Sequence, residues 1–469
     1  MSNQVRLSYI LNYGGKMENI DNLKNQTLDA INKAQDLKSL DEVRVSVLGK
    51  KGAITELMKG LAALSVEEKK EIGKNLNILK AEIESFGVNA ELESFEVGDA
   101  IIEKAELEVL EPYNKKYEVT AYKCCKSVEN LEAEFVYAGN GFDVDLKNVK
   151  GKIVMVNGFL RVPMYRKLIE AGAAGFITMD GTMRDTEDDS DLYTRKIRSA
   201  LQAFGLIPGV NIRIKDAFEI VTKKATKVRM TTKNTANVIT SHNVVAKIEG
   251  TEYPDEIVSF GAHFDSVPFS TGVYDNGAGS VVIMELLRYF KENPPKRTVV
   301  FCWYGAEEIG LEGSKYHVKA NPEEIEKTIF MVNVDVGGSV LGLDRCGVTA
   351  GDDLTTYTDA FMKINGFSVD VYKSIYSSDS IPFADKGVPA VNFERDCTHG
   401  GGYIHCRHDI IDYLWPDALE KTGTHILKYS EALVNSYVFP FKRAIPDDIR
   451  EQVDKYLYRK ELKEVGVEI

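Results

Sequence analysis

Four near-continuous apolar runs limit what the C-terminal half of this chain can become. They are Ile257–Ala262, Thr298–Trp303, Ile329–Val334 and Pro389–Phe393. A strand apolar at every position has no solvent face, so it needs cover on both sides, as in a largely parallel sheet. Helical stretches such as Ser280–Lys291 and Leu354–Ile364 lie between the runs. This alternation predicts an α/β fold over residues 236–440, with a mostly parallel or mixed central sheet covered by helices on both faces.

The upstream chain has other patterns. Residues 17–83 are helical in spacing, with a break at Gly49–Gly52 and a capping box at Ser65–Glu68, which predicts an N-terminal α-hairpin. Its 11 basic and 11 acidic residues cancel. Asn89–Val97 alternates like a half-buried strand, and residues 84–109 are expected to supply strands to the C-terminal domain. Residues 110–235 read as a β-rich inserted module containing a small βαβ unit: a strand at Gly151–Val156, a helix over Lys167–Gly175 and a strand at Phe176–Met179. Asp185–Asp191 reads as an acidic solvated loop, and residues 441–469 as a charged helical tail.

Composition removes several function classes. The net charge is 58 − 71 = −13, which repels phosphate backbones and makes a nucleic-acid partner unlikely. No stretch approaches the ~20 apolar residues of a membrane span. Met1–Lys16 lacks the apolar core of a signal peptide, so a cytoplasmic location is expected. The six cysteines form no C-x-x-C pair and read as reduced thiols, with a Cys397–Cys406 disulfide as the minority reading. A homo-oligomer is left open.

Polar residues follow directly after the buried strands: His263 and Asp265, Glu307 and Glu308, and Asp335. Asp275 and the loop carrying His405, His408 and Asp409 lie nearby in the pattern. In open α/β sheets ligands bind at the carboxyl ends of strands, so these groups can converge. Histidine and carboxylates without thiolates suit zinc or a similar divalent ion. Two histidines and three carboxylates hold two ions if one carboxylate bridges. Asp275 suits the bridge, beside residues that allow a tight turn. His263 and Asp335 then complete one ion, and Glu308 and His405 the other. Asp265 is placed to accept the second N–H of His263 and fix its tautomer. Glu307 is left over as a general base.

These motifs resemble the co-catalytic di-zinc aminopeptidase family. Gly261–Val267, Asp275–Gly279, Ala306–Ser314, Asn333–Asp335 and the pocket segment Ser378–Pro389 carry the resemblance. It implies two zinc ions per chain on His263, Asp275, Glu308, Asp335 and His405, with Glu307 as base and peptides as substrates. The last motif departs from the usual His-Thr-x-x-Asp. Spacing to Asp409 favours His405, and His399 and His408 remain alternatives. A tyrosine beside this histidine stabilises the oxyanion in some members. Here Ile404 stands there, and Tyr403 is one residue further back. Residues 110–235, through Gly151–Val154 and Ala171–Ile177, resemble the protease-associated domain often inserted in this family. Residues 17–83, through Arg44–Met58, resemble the N-terminal arm of the phenylalanyl-tRNA synthetase alpha subunit. Tyr9–Gly15 resembles the start of a peptidase domain (residues 1–16), so the arm is expected to be a fusion. The resemblance implies an aminopeptidase. A carboxypeptidase, a glutaminyl-cyclase-like activity and a synthetase-associated role through residues 17–83 are the alternatives.

Overall fold

The computed structural model describes residues 76–158, 160, 162–186 and 191–467. Most of the α-hairpin expected over 17–83 lies outside the described residues, and residues 76–85 are helical. The chain divides into two compact units, Met1–Ala90 and Glu91–Ile469.

The inserted module holds β2 (Lys115–Tyr117), β3 (Val119–Ala121), β4 (Val128–Tyr137), β5 (Ile153–Met155), β6 (Gly175–Asp180) and β7 (Gly209–Arg213). Its helices are α1 (Val162–Glu170), α2 (Ser199–Gln202) and α3 (Ile214–Thr222). Strands β4, β5, β6 and β7 are parallel in that order, and β3 closes the edge antiparallel to β7. The helix expected over Lys167–Gly175 starts and stops earlier. Gly172 takes φ +73°, and the Ala173 N–H donates to the Leu168 carbonyl, which closes the last turn.

Two long strands join this module to the C-terminal domain. β1 (Ala90–Glu111) and β8 (Lys227–Ile248) pair with each other, and each has 22 residues. The strand expected over Asn89–Val97 therefore continues well beyond it. At one end, Phe95 and Val97 pack near Ala306. At the other, Leu107 and Val109 of β1 and Val228 and Met230 of β8 lie in one core with Ile153, Ile177, Val210 and Ile212.

The C-terminal domain adds β9 (Tyr253–His263), β10 (Arg297–Tyr304), β11 (Thr328–Val334), β12 (Gly342–Thr349), β13 (Val369–Lys373) and β14 (Ala390–Cys397). The strand order is β8-β10-β9-β11-β14-β12-β13. The central pairs β10–β9, β9–β11 and β11–β14 are parallel, whereas β8 and β12 are antiparallel to their inner neighbours. Helices α4 (Ala278–Glu292), α5 (Glu312–Ala320), α6 (Pro322–Lys327), α7 (Asp352–Ile364), α8 (Ser380–Asp385) and α9 (Pro416–Val434) cover it.

Strand β10 shows why the apolar runs are continuous. Successive side chains point to opposite faces. Phe301 stacks on Phe260 at 4.8 Å, Phe260 meets Phe290 of α4, and the Trp303 indole N–H donates to the Ser280 carbonyl. Cys302 and Tyr304 instead pack with Val318, Ile325 and Phe383 of α5, α6 and α8. The charged tail forms α10 (Asp447–Tyr456) and α11 (Arg459–Glu464). Ile449 and Val453 pack on Ala384, while Tyr458 packs on the core of the inserted module. The tail thus braces both modules.

Candidate metal centre

Three adjacent parallel strands end side by side. β9 stops at His263, which pairs with Tyr304 at the end of β10, and β11 stops at Val334, just before Asp335. The turn after β10 carries Glu307 and Glu308, and the turn Val273–Gly277 before α4 carries Asp275. His405 comes from the loop between β14 and a short turn at Ile411–Tyr413.

These elements bring together two groups that share one residue: His263, Asp275 and Asp335, and Asp275, Glu308 and His405. His263 Nε2 lies 3.1 Å from Asp275 Oδ1 and 3.3 Å from Asp335 Oδ1. His405 Nε2 lies 3.1 Å from Asp275 Oδ2 and 3.1 Å from Glu308 Oε2. Asp275 therefore offers one carboxylate oxygen to each group. Ligand atoms ~2.0–2.2 Å from a tetrahedral ion stand ~3.3 Å apart, so the observed separations suit an ion in each group. Buried Glu308 Oε1 has no hydrogen-bond partner among the described residues.

Electrostatics favours a cation here. Burial alone would lower the His263 pKa, yet Asp335 and Asp275 raise it well above its ordinary value. Burial likewise opposes the rise at His405, but Asp275 and Glu308 push it up to about 10. Glu307 is held well above the carboxylate range by burial and by Asp379, Asp335 and Glu308, against the pull of His263. Burial and the neighbouring Asp335 and Asp265 push Asp379 up to about 7, with His263 opposing. Glu307, Glu308 and Asp379 thus hold protons more readily than free carboxylates, and a metal ion in their midst would take the place of those protons.

The surrounding groups fix the donors. Asp409 accepts from the main-chain N–H of Tyr274 at 2.7 Å and of Asp275 at 3.0 Å. Asn276 Oδ1 accepts from the Gly279 and Val336 N–H groups, and its amide donates to the Val334 carbonyl. A Cβ on Gly279 would come within 2.5 Å of the Val334 carbonyl oxygen, so only glycine lets α4 start this close to β11. Ala306, Val336 and His405 all have positive φ, near +60°, each at or beside a donor or the spare glutamate. Non-glycine residues adopt that conformation at a cost, and such residues cluster at functional sites.

His263, Asp275, Glu308, Asp335 and His405 meet in the two groups, and Asp265 makes a different contact from the one expected. The Asp265 carboxylate is 3.7 Å from His263 Nδ1, and the Asp265 main-chain carbonyl is nearer, at 3.0 Å. The carboxylate instead accepts from the Glu307 and Glu308 N–H groups at 3.0 and 3.3 Å. Those two N–H groups open the turn that the Gly310 and Leu311 N–H groups close onto the Glu307 carbonyl. Neither His399 nor His408 joins either group, and His408 packs against Tyr403. All six cysteines are free, Cys397 and Cys406 included.

Two features escaped sequence reasoning. Tyr376 is held protonated by burial and by the Asp335, Glu394, Asp396 and Asp275 carboxylates. Only its position three residues before Asp379 hinted at this. Glu93, Cys302 and His317 also meet, far apart in sequence. His317 Nδ1 lies 3.0 Å from both Glu93 oxygens, and Asn243 and Asn321 donate to the same carboxylate. His317 Nε2 faces Glu324 at 3.4 Å, so the group reads as an ion-pair network.

Fold and donor set define an α/β domain with two histidine–carboxylate groups at the carboxyl ends of its central strands. Residues 243–430 match the model of Peptidase family M28. Residues 35–93 match the aminoacyl tRNA synthetase class II, N-terminal domain. Among curated relatives, Aminopeptidase YwaD of Bacillus subtilis is 29% identical over 310 residues, covering 63% of this chain and 65% of that protein. The phenylalanine–tRNA ligase alpha subunit of Pseudomonas fluorescens is 32% identical over 127 residues, 27% of this chain and 37% of that subunit. The chain thus spans just under two thirds of the first relative and about a third of the second. The fold is shared with BSAP, a zinc aminopeptidase from Bacillus subtilis, at a TM-score of 0.63 and 22% identity, over 81% of this chain and 92% of that one. It is shared as well with an aminopeptidase from Aneurinibacillus sp. strain AM-1, at 0.61 and 23%, over 79% and 91%.

Proposed function

We propose that this chain is a zinc-dependent aminopeptidase that releases N-terminal residues from peptides. The observation that carries the reading is Asp275, whose two oxygens serve two donor groups 3.1 Å away on either side. His263 and Asp335 would hold one zinc ion, Glu308 and His405 the other, and Asp275 both. Bound zinc supplies Lewis acidity, polarising the peptide carbonyl and lowering the pKa of water.

The chain's own residues do the rest. Glu307 takes the proton of the attacking water and returns it to the departing amine. Asp265 fixes the Glu307–Glu308 turn through two main-chain N–H groups. Residues 110–235 form a protease-associated module that limits substrate access, and residues 17–83 are a synthetase-derived arm joined to the peptidase.

The test is metal content by mass spectrometry together with hydrolysis of a panel of aminoacyl-p-nitroanilides, with and without chelator. About two zinc ions per chain and chelator-sensitive release are expected. A folded sample that resists zinc loading overturns the reading.

A further inference from the structure

We infer that Asp191, on the inserted module, is a positioning residue that holds the His405 loop in its zinc-binding form. The inference rests on the zinc aminopeptidase reading. His405 is the exposed member of the centre, with 55% of its side chain accessible, against 1% for His263 and 7% for Glu308. It stands at φ +56° on an irregular loop. On one side, Asp409 ties this loop to the turn of Asp275. On the other, two residues after His405, Arg407 is held by Asp191. The Arg407 main-chain N–H donates to Asp191 Oδ2 at 3.0 Å, Nε donates to Oδ1 at 2.7 Å, and Nη2 also reaches Oδ1.

An exposed ion pair between side chains alone would matter little. This one differs in two respects. The Asp191 side chain is 11% exposed, and it binds the backbone of the loop as well as the guanidinium, so it sets the path of the chain beside His405. A second contact from the module falls nearby: Arg198 donates to the main-chain carbonyl of Glu308 at 3.4 Å. Both contacts fall on the Asp275–Glu308–His405 half of the centre. Outer groups that orient ligands commonly shift metal affinity about 10- to 100-fold.

The experiment compares full-length wild type with Asp191→Ala, Asp191→Asn and the remote surface control Lys115→Ala. Zinc is titrated against a chromophoric chelator, with kcat and KM measured at low and at saturating zinc and melting followed in parallel. Asp191→Ala is expected to bind one zinc as wild type does and the second about 10- to 100-fold more weakly. Its kcat falls at low zinc and recovers in excess zinc, with little change in KM. Asp191→Asn keeps an acceptor for the loop N–H and falls between. Lys115→Ala matches wild type. Wild-type affinity for both ions in Asp191→Ala overturns the proposal, as does an equal loss of both with lowered melting, which marks general destabilisation. A wild type that binds two zinc ions without cleaving peptides overturns the aminopeptidase reading and leaves the affinity test standing. A wild type that takes up no zinc overturns both.

Discussion

At the scale of single residues, sharing and sparing divide the roles. Because Asp275 serves both donor groups, Asp275→Ala should lose both ions, whereas Asp335→Ala or His405→Ala should keep one. Metal analysis of the dialysed variants reads the difference, and two ions retained in Asp275→Ala would end the bridging assignment. Glu307 belongs to neither group. Glu307→Gln is therefore expected to keep its zinc while kcat falls about 10²- to 10⁴-fold, the usual worth of a proton-transfer group. Comparable turnover in a zinc-loaded Glu307→Gln protein would rule out its role as base.

At the scale of elements, β1 is tied to α5 by a charged pair within the fold. His317 lies between Glu93, at 3.0 Å, and Glu324, at 3.4 Å. Burial opposes its charge, but the two carboxylates raise its pKa from 6.5 to about 9. A folded pKa above the unfolded one gives stability that is fully present below pH 6.5 and lost as pH rises through about 9. At ~1.4 kcal/mol per pKa unit, the contribution is about 3–4 kcal/mol. Urea unfolding of wild type and His317→Gln between pH 6 and pH 10 should show a stability gap that narrows with rising pH. A gap constant over that range would remove the pair from the account. On the same sheet, Phe301→Ala should cost about 3–5 kcal/mol, because Phe301 is fully buried against Phe260.

At the scale of the whole molecule, the modules share strands β1 and β8 and are braced by the tail. Arg166 of α1 pairs with Glu464 of α11 at 2.7 Å, and Tyr456 of α10 hydrogen-bonds Ser377 at 2.9 Å, beside Tyr376. The centre gathers donors from five parts of the fold, so a metal ion held there would bind the native state and not the unfolded chain. Zinc at 100 times its dissociation constant then adds about 2.7 kcal/mol of stability. Chelation should lower the melting temperature together with activity, and an unchanged melt would mean that the donors are not joined by metal.

The apolar runs told most about the catalytic sheet, because a strand buried on both faces must be apolar throughout, as β10 is. The donors were legible for a related reason: polar residues placed directly after such strands have one common place to go. Local pattern could not say where β1 ends, since its partners β2 and β8 carry it on to Glu111. It could not give Asp265 its acceptor role, which depends on two main-chain N–H groups of a turn 42 and 43 residues away. Nor could it distinguish Asp191 from a solvated acid. That carboxylate meets Arg407 across 216 residues, and only the packing of the inserted module against the His405 loop brings the two together.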